Sequence, residues 1–203
     1  MAALLIIFVW VLNFGISWLN ARYCGLVWAE TKVIGGWQRF MTWMGAIMSA
    51  SGFAWCYLIA LLFGAYWSQP LWLEPDQAPV LGLDAVQAGL QLGYLIIIPG
   101  ILFSGFMIWI DSLVTAWRNR DWRSVGVASW NTFAQVHNTY SAMRGIPDAL
   151  SGVGKFFSGK GDSKGKAGLL VIVLVLLAIA GGIATTYSLI QKYAGSRPLP
   201  EFV

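Results

Sequence analysis

Read as hydrophobic and polar positions, the chain alternates long runs free of charge with shorter stretches that carry almost all of it. Four strongly apolar runs hold no Asp, Glu, Lys or Arg: 1–19, 40–67, 87–110 and 168–190. Spanning the hydrocarbon of a bilayer takes about 20 helical residues at 1.5 Å each, so each run predicts one crossing. Helix is expected over strand, because without water every backbone donor must find its acceptor inside the segment. The last run is the clearest, since "LLVIVLVLLAIA" at 169–180 has no polar side chain. The second is long for one crossing, which predicts tilt or an extension into the interface.

A different pattern occupies 125–144. Trp130, Phe133, Val136, Tyr140 and Met143 recur at three- and four-residue steps, with Asn131, Gln135, Asn138 and Ser141 around the other side. That is the signature of an amphipathic helix. Gly145 and Pro147 are expected to end it, and a shorter segment over 148–157 follows. Its apolar stripe has two natural placements. It packs against the ends of the protein's own spans, or it lies in lipid headgroups, steadied by Arg118, Arg120 and Arg123. Docking a partner is a third use. His137, at the edge of the stripe with no second ligand nearby, reads as a packed or solvated side chain.

Composition settles the class. Apolar residues make up 58% of the 203 and charged residues 11%, against about 25% charged in ordinary globular chains. So few charges cannot cover a water-facing surface. The twelve Trp suit the headgroup level of a bilayer. The expectation is an all-α integral membrane protein with about four transmembrane helices, plus a cytoplasmic amphipathic helix between the third and fourth. In this reading 1–110 holds three spans with short loops. Residues 111–167 form a basic cytoplasmic segment, and 168–203 form the fourth span with a short outer tail.

Basic residues orient it. The expected 20–39 loop carries Arg22, Lys32 and Arg39, the 68–86 loop carries none, and Arg118, Arg120, Arg123, Arg144, Lys155, Lys160, Lys164 and Lys166 precede the last run. Lys and Arg near span ends stay cytoplasmic. Four crossings of the inner (plasma) membrane with both termini outside satisfy that rule. A cleaved signal peptide, suggested by Gly15 and Ser17, is set aside. No basic residue precedes its apolar run, and cleavage would carry the large basic group outside.

The stretch "SGKGDSKGKAG" at 158–168 has the look of a phosphate-binding loop, but the spacing fails. Counting back from Gly165 and Lys166 puts Lys160 where glycine is required, and Ala167 stands where a hydroxyl should meet magnesium. It reads as a flexible basic linker. Other chemistry is equally thin. The four runs contain no ionisable acid or base of the kind that marks ion pathways, and HExxH and zinc-type cysteine spacings are absent. Cys24 and Cys56 are expected to stay unpaired. Glu74, Asp76 and Asp84, among Pro70, Pro75 and Pro79, suit a stiff solvated loop rather than a calcium cage. No cofactor, metal or nucleic acid is expected.

Small residues carry the most specific signal. Gly52, Cys56, Ala60 and Gly64 recur every four residues, beside a row of Ala46, Ala50 and Ala54; Ala178, Gly182 and Thr186 repeat the step in the last run. Such rows let helix backbones approach closely, within one chain or between chains. Pro99 and Gly100 are expected to bend the third run. The functional expectation is a non-enzymatic structural or accessory subunit of an inner-membrane assembly. Its partners are the lipid bilayer and further copies of itself or other membrane proteins. A small oligomeric channel around an uncharged pore is the alternative. A membrane enzyme is third, and it would need a cavity where Asp111, His137 and Arg118 converge.

Overall fold

The computed structural model describes residues 2–71, 73–74, 77, 79–159, 162–194 and 196, with backbone only for 2, 3, 5, 6 and 162–164. Pro75, Asp76 and Lys160 lie outside the described residues, as does most of the tail after Ala194. The described chain is all-helical: α1 (Ala2–Ile34), α2 (Gly36–Ser68), α3 (Leu83–Asn119), α4 (Trp122–Ser158) and α5 (Asp162–Tyr193), with a single 3-10 turn after α2. Three stretches, Gly36–Leu71, Leu83–Asn119 and Gly165–Tyr193, are long and apolar enough to cross a membrane. The expected first crossing falls within α1, whose described residues do not add a fourth to that set.

The helices alternate in direction. Trp10 of α1 meets Cys56 of α2, and Cys24 meets Thr42. Along α2 and α3, Leu58 faces Gly93 and Ser51 faces Gly100. Trp109 of α3 bonds Thr132 of α4, and Tyr94 bonds Ser141. α5 returns along α2, with Thr186 at Ser49 and Gly181 at Tyr57. Hence α1, α3 and α5 run one way, and α2 and α4 the other. α2 is central, touching α1, α3 and α5, while α4 packs on the outside of α3.

This order corrects several expectations. The segment 20–39 is no loop, since α1 continues through Arg22 and Lys32 to Ile34 and Gly35 alone makes the turn. Its φ of 138° is open only to glycine. Likewise the helix containing the third run does not stop at 110. α3 runs on to Asn119, and α4 then lies along α3 for most of its length. Gly145 and Pro147 do not end α4, which continues to Ser158. Proline leaves one helix hydrogen bond unmade, but Ala142 and Ala149 on either side are buried and Gly145 sits under the Tyr94 ring. That packing holds the turn. The basic linker is largely helix, because α5 starts at Asp162. An odd number of alternating helices also leaves α1 starting and α5 finishing at opposite ends of the bundle.

The connection from α2 to α3 is closed by one side chain. Gln69, 5% exposed, accepts from the Leu81 amide at 2.7 Å and donates to the Leu81 carbonyl at 2.8 Å. It satisfies both backbone groups as a paired strand would. Beneath it Leu58, Leu62, Leu81, Val171 and Val175 form the core, joined by Phe156 from α4.

Candidate functional site

The chemistry-bearing residues of the spans are gathered into seams between helices. Between α1 and α2, Trp10 Nε1 donates to the Cys56 carbonyl at 2.9 Å and Asn13 Nδ2 to the Gly52 carbonyl at 3.3 Å. Ser49 Oγ donates to the Ser17 carbonyl at 2.6 Å, and Asn20 Nδ2 to the Gly45 carbonyl at 2.8 Å. Glycine and cysteine at these points let the partner helix come close enough for such bonds. Each bond ties one helix to the next where apolar burial supplies no drive of its own.

The small-residue rows divide on inspection. Gly52 and Cys56 face Ser17, Asn13 and Trp10 within the chain. Ala60 and Gly64 are exposed, and a side chain at Gly64 would meet nothing within 4 Å. In α5, Ala178 is fully buried. A Cβ on Gly182 would lie 2.5 Å from the Ala50 carbonyl oxygen and 2.6 Å from the Ala54 amide. Here backbone meets backbone. Thr186 bonds Ser49 at 3.4 Å, and Tyr57 bonds Thr185 at 2.9 Å.

The seam of α4 escaped the sequence reading. Ala128, Asn131, Gln135, Asn138, Ala142, Gly145, Ala149, Gly152 and Phe156 alternate at three- and four-residue steps and are the positions turned toward the bundle. The signal was present as a heptad of small and polar residues, the period of a left-handed helix pair, but the apolar stripe beside it drew the eye. Thr132 accepts from Trp109 Nε1 at 2.8 Å. Gln135 reaches the Leu102 carbonyl at only 3.5 Å, and its Oε1 is buried without a partner. The expected stripe points away from the bundle: Trp130, Phe133, Val136, Tyr140 and Met143 are all more than half exposed. Packing of that stripe against the protein's own spans is therefore corrected.

Arg118, Arg120 and Arg123 cluster at the α3–α4 corner and are exposed. Arg120 takes the left-handed conformation that ends α3, φ 54°, with its amide bonded to the Ala116 carbonyl. Asp121 caps α4, accepting from the Arg123 and Ser124 amides at 2.9 Å. The Ser124 hydroxyl, at 2.7 Å, and these amides hold its carboxyl below the usual aspartate range. Guanidinium groups stack over neighbouring rings, Arg123 on Trp122 at 5.5 Å and Arg144 on Tyr140 at 4.5 Å.

Two clefts bring charged groups together. One of about 530 Å³ opens between α1 and α3, which do not touch, and is lined by Asn20, Glu30, Gln38, Asp111 and Arg118. Trp37 Nε1 donates to Asp111 at 2.7 Å across it. His137 does not join Asp111 and Arg118 there; it stacks on Phe133, ring centroids 6.2 Å apart, on the exposed side of α4. The second cleft, about 450 Å³, brings Asp84, Gln87, Gln91, Asp148 and Lys155 together. Among the described residues no group of His, Cys, Asp and Glu could hold a metal ion. Set against known protein families, characterised proteins and solved structures, the chain matches none.

Proposed function

We propose that the protein is a multi-pass subunit of an inner-membrane assembly, with a structural or accessory role rather than a catalytic one. The observation that carries this reading is the use made of polar side chains within the spans. Asn13, Ser49, Tyr57 and Thr186 each bond a neighbouring helix. A permeation path or a catalytic centre would direct such groups into a shared cavity instead. α1, α2, α3 and α5 lie in the bilayer. The sector between α1 and α3, where α2 is left partly uncovered, offers room for a helix of another copy or another protein.

Extraction in mild detergent followed by native mass measurement tests this. The expected result is a particle of fixed stoichiometry larger than the 22.3 kDa chain. A monomer with no companion would overturn the assembly role. Solute flux through liposomes holding the purified protein would favour the channel.

A further inference from the structure

We propose that α4 crosses the membrane beside α3, as a fifth span, with lipid acyl chains covering its outer side. The argument begins with direction. α3 and α5 both run antiparallel to α2, so they are parallel to each other. α3 finishes at the Arg120 corner, whereas α5 starts at the opposite end, near Phe156 and Phe157 of α4. If both cross, the chain between them must come back through the bilayer. α4, at 37 residues, extends about 55 Å at 1.5 Å per residue, well beyond the roughly 30 Å of hydrocarbon.

The sidedness of α4 agrees. Residues 124–143 contain no Asp, Glu, Lys or Arg and are bracketed by Arg123 and Arg144. Asn131, Gln135 and Asn138 turn inward onto α3, while Trp130, Phe133, Val136, Tyr140 and Met143 turn outward. A helix on a water-facing surface shows the reverse. In lipid, polar and small residues belong in the seam and apolar ones outside. The register sets the depth, because Gln135 lies at Leu102 and Ser141 at Tyr94, inside the apolar part of α3. His137 and Arg144 oppose the placement. His137 stacks on Phe133, and the long stem of Arg144, laid along Tyr140, lets its guanidinium reach toward headgroups.

One consequence is orientation. Lys32, Arg39, Arg118, Arg120, Arg123 and Lys192 gather at one end of the bundle, which is then the cytoplasmic end. Lys155 and Lys166 fall on the other side. The proposal rests on α3 and α5 spanning, not on the assembly role, so the two fail separately.

Single cysteines in the full-length chain test it. Cys24 and Cys56 are buried and stay in place, with the unsubstituted chain as background. In intact cells an impermeant maleimide should label Gln77→Cys and Gly159→Cys. Asn119→Cys and Ser196→Cys should react only after permeabilisation. Labelling of Asn119→Cys and Gly159→Cys from the same side would overturn the crossing. The inverse pattern would keep the crossing and overturn the orientation. A carbene photoreagent dissolved in the bilayer should also tag α4 between Trp130 and Met143. Tagging of the outward Leu176 and Leu177 of α5 without α4 would overturn the lipid contact, leaving a protein partner or water on that side.

Discussion

α4 and α5 follow one another in the chain and are similar in length, 37 and 32 residues, yet their packing sides are chosen differently. α5 is apolar almost all round; Val171, Leu174 and Val175 pack inward near its start, and where it lies on α2 small residues mark its packing side. Ala178 and Gly182 face the bundle while Leu176 and Leu177, just as apolar, face out. In α4 polarity and size act together: Asn131, Gln135 and the small residues turn in, and the aromatic stripe turns out. In water the outward stripe would forgo roughly 1.5–3 kcal/mol per large side chain left exposed. In lipid that penalty disappears, and close approach with satisfied polar groups decides which side packs. The lesson is that the greasier side of a helix is its packing side only when the solvent is water.

The largest expected effect breaks or upholds the size rule in α5. Gly182→Leu would drive a side chain into the backbone of Ala50 and Ala54, and backbone cannot yield as a flexible side chain can. A loss of about 3 kcal/mol is expected, at the upper part of the usual range for overpacking. Thermal unfolding in detergent measures it. Gly64→Leu, which meets nothing within 4 Å, should change stability by less than about 0.5 kcal/mol. Equal losses would mean that size does not select the packing side.

The polar part of the α4 seam should matter less. Thr132→Val removes the acceptor for Trp109, and interhelical bonds of this kind average about 0.6 kcal/mol in membrane proteins. Gln135→Met removes a buried acceptor that has no partner, so stability should hold or rise by up to about 1 kcal/mol. Both variants are read by the same unfolding measurement. A large loss from Gln135→Met would show that polarity, not size, holds α4 to α3.

The smallest effect concerns how α4 begins, since α4 has an aspartate cap and α5 starts from the lysine-bearing stretch. The carboxyl of Asp121 is lowered, first by the Ser124 hydroxyl and then by the Ser124 amide. A depressed carboxyl contributes stability above its unfolded pKa, and the contribution is lost as pH falls through the lower folded value. Acid titration of the melting temperature should therefore show a small component that Asp121→Asn lacks. Identical acid profiles would remove the cap from the account.

How far the chain was legible depended on which force wrote each feature. Helices over the uncharged runs follow from hydrogen-bond economy in hydrocarbon, and they appear where the composition demands. Helix ends were harder. Arg22 and Lys32 suggested a loop, but long helices carry such side chains at the membrane edge without stopping, and only Gly35 breaks α1 from α2. Pro147 suggested a stop, but its missing hydrogen bond is a local cost outweighed by the contacts around Ala142, Gly145 and Ala149. Of the close-approach row in α2, Gly52 and Cys56 meet α1 whereas Ala60 and Gly64 are exposed, a division that their spacing could not disclose.

By itself the sequence determined an all-helical chain, with long apolar helices fit for a membrane and small residues where helices draw close. The tertiary structure alone decided which of those small residues are used, which side of α4 packs, and that α3 and α5 run parallel. The physical reason is that periodicity records two sides of a helix without naming the medium outside either one. The direction of a helix, likewise, is set by the neighbours it lies against, several turns and many residues away.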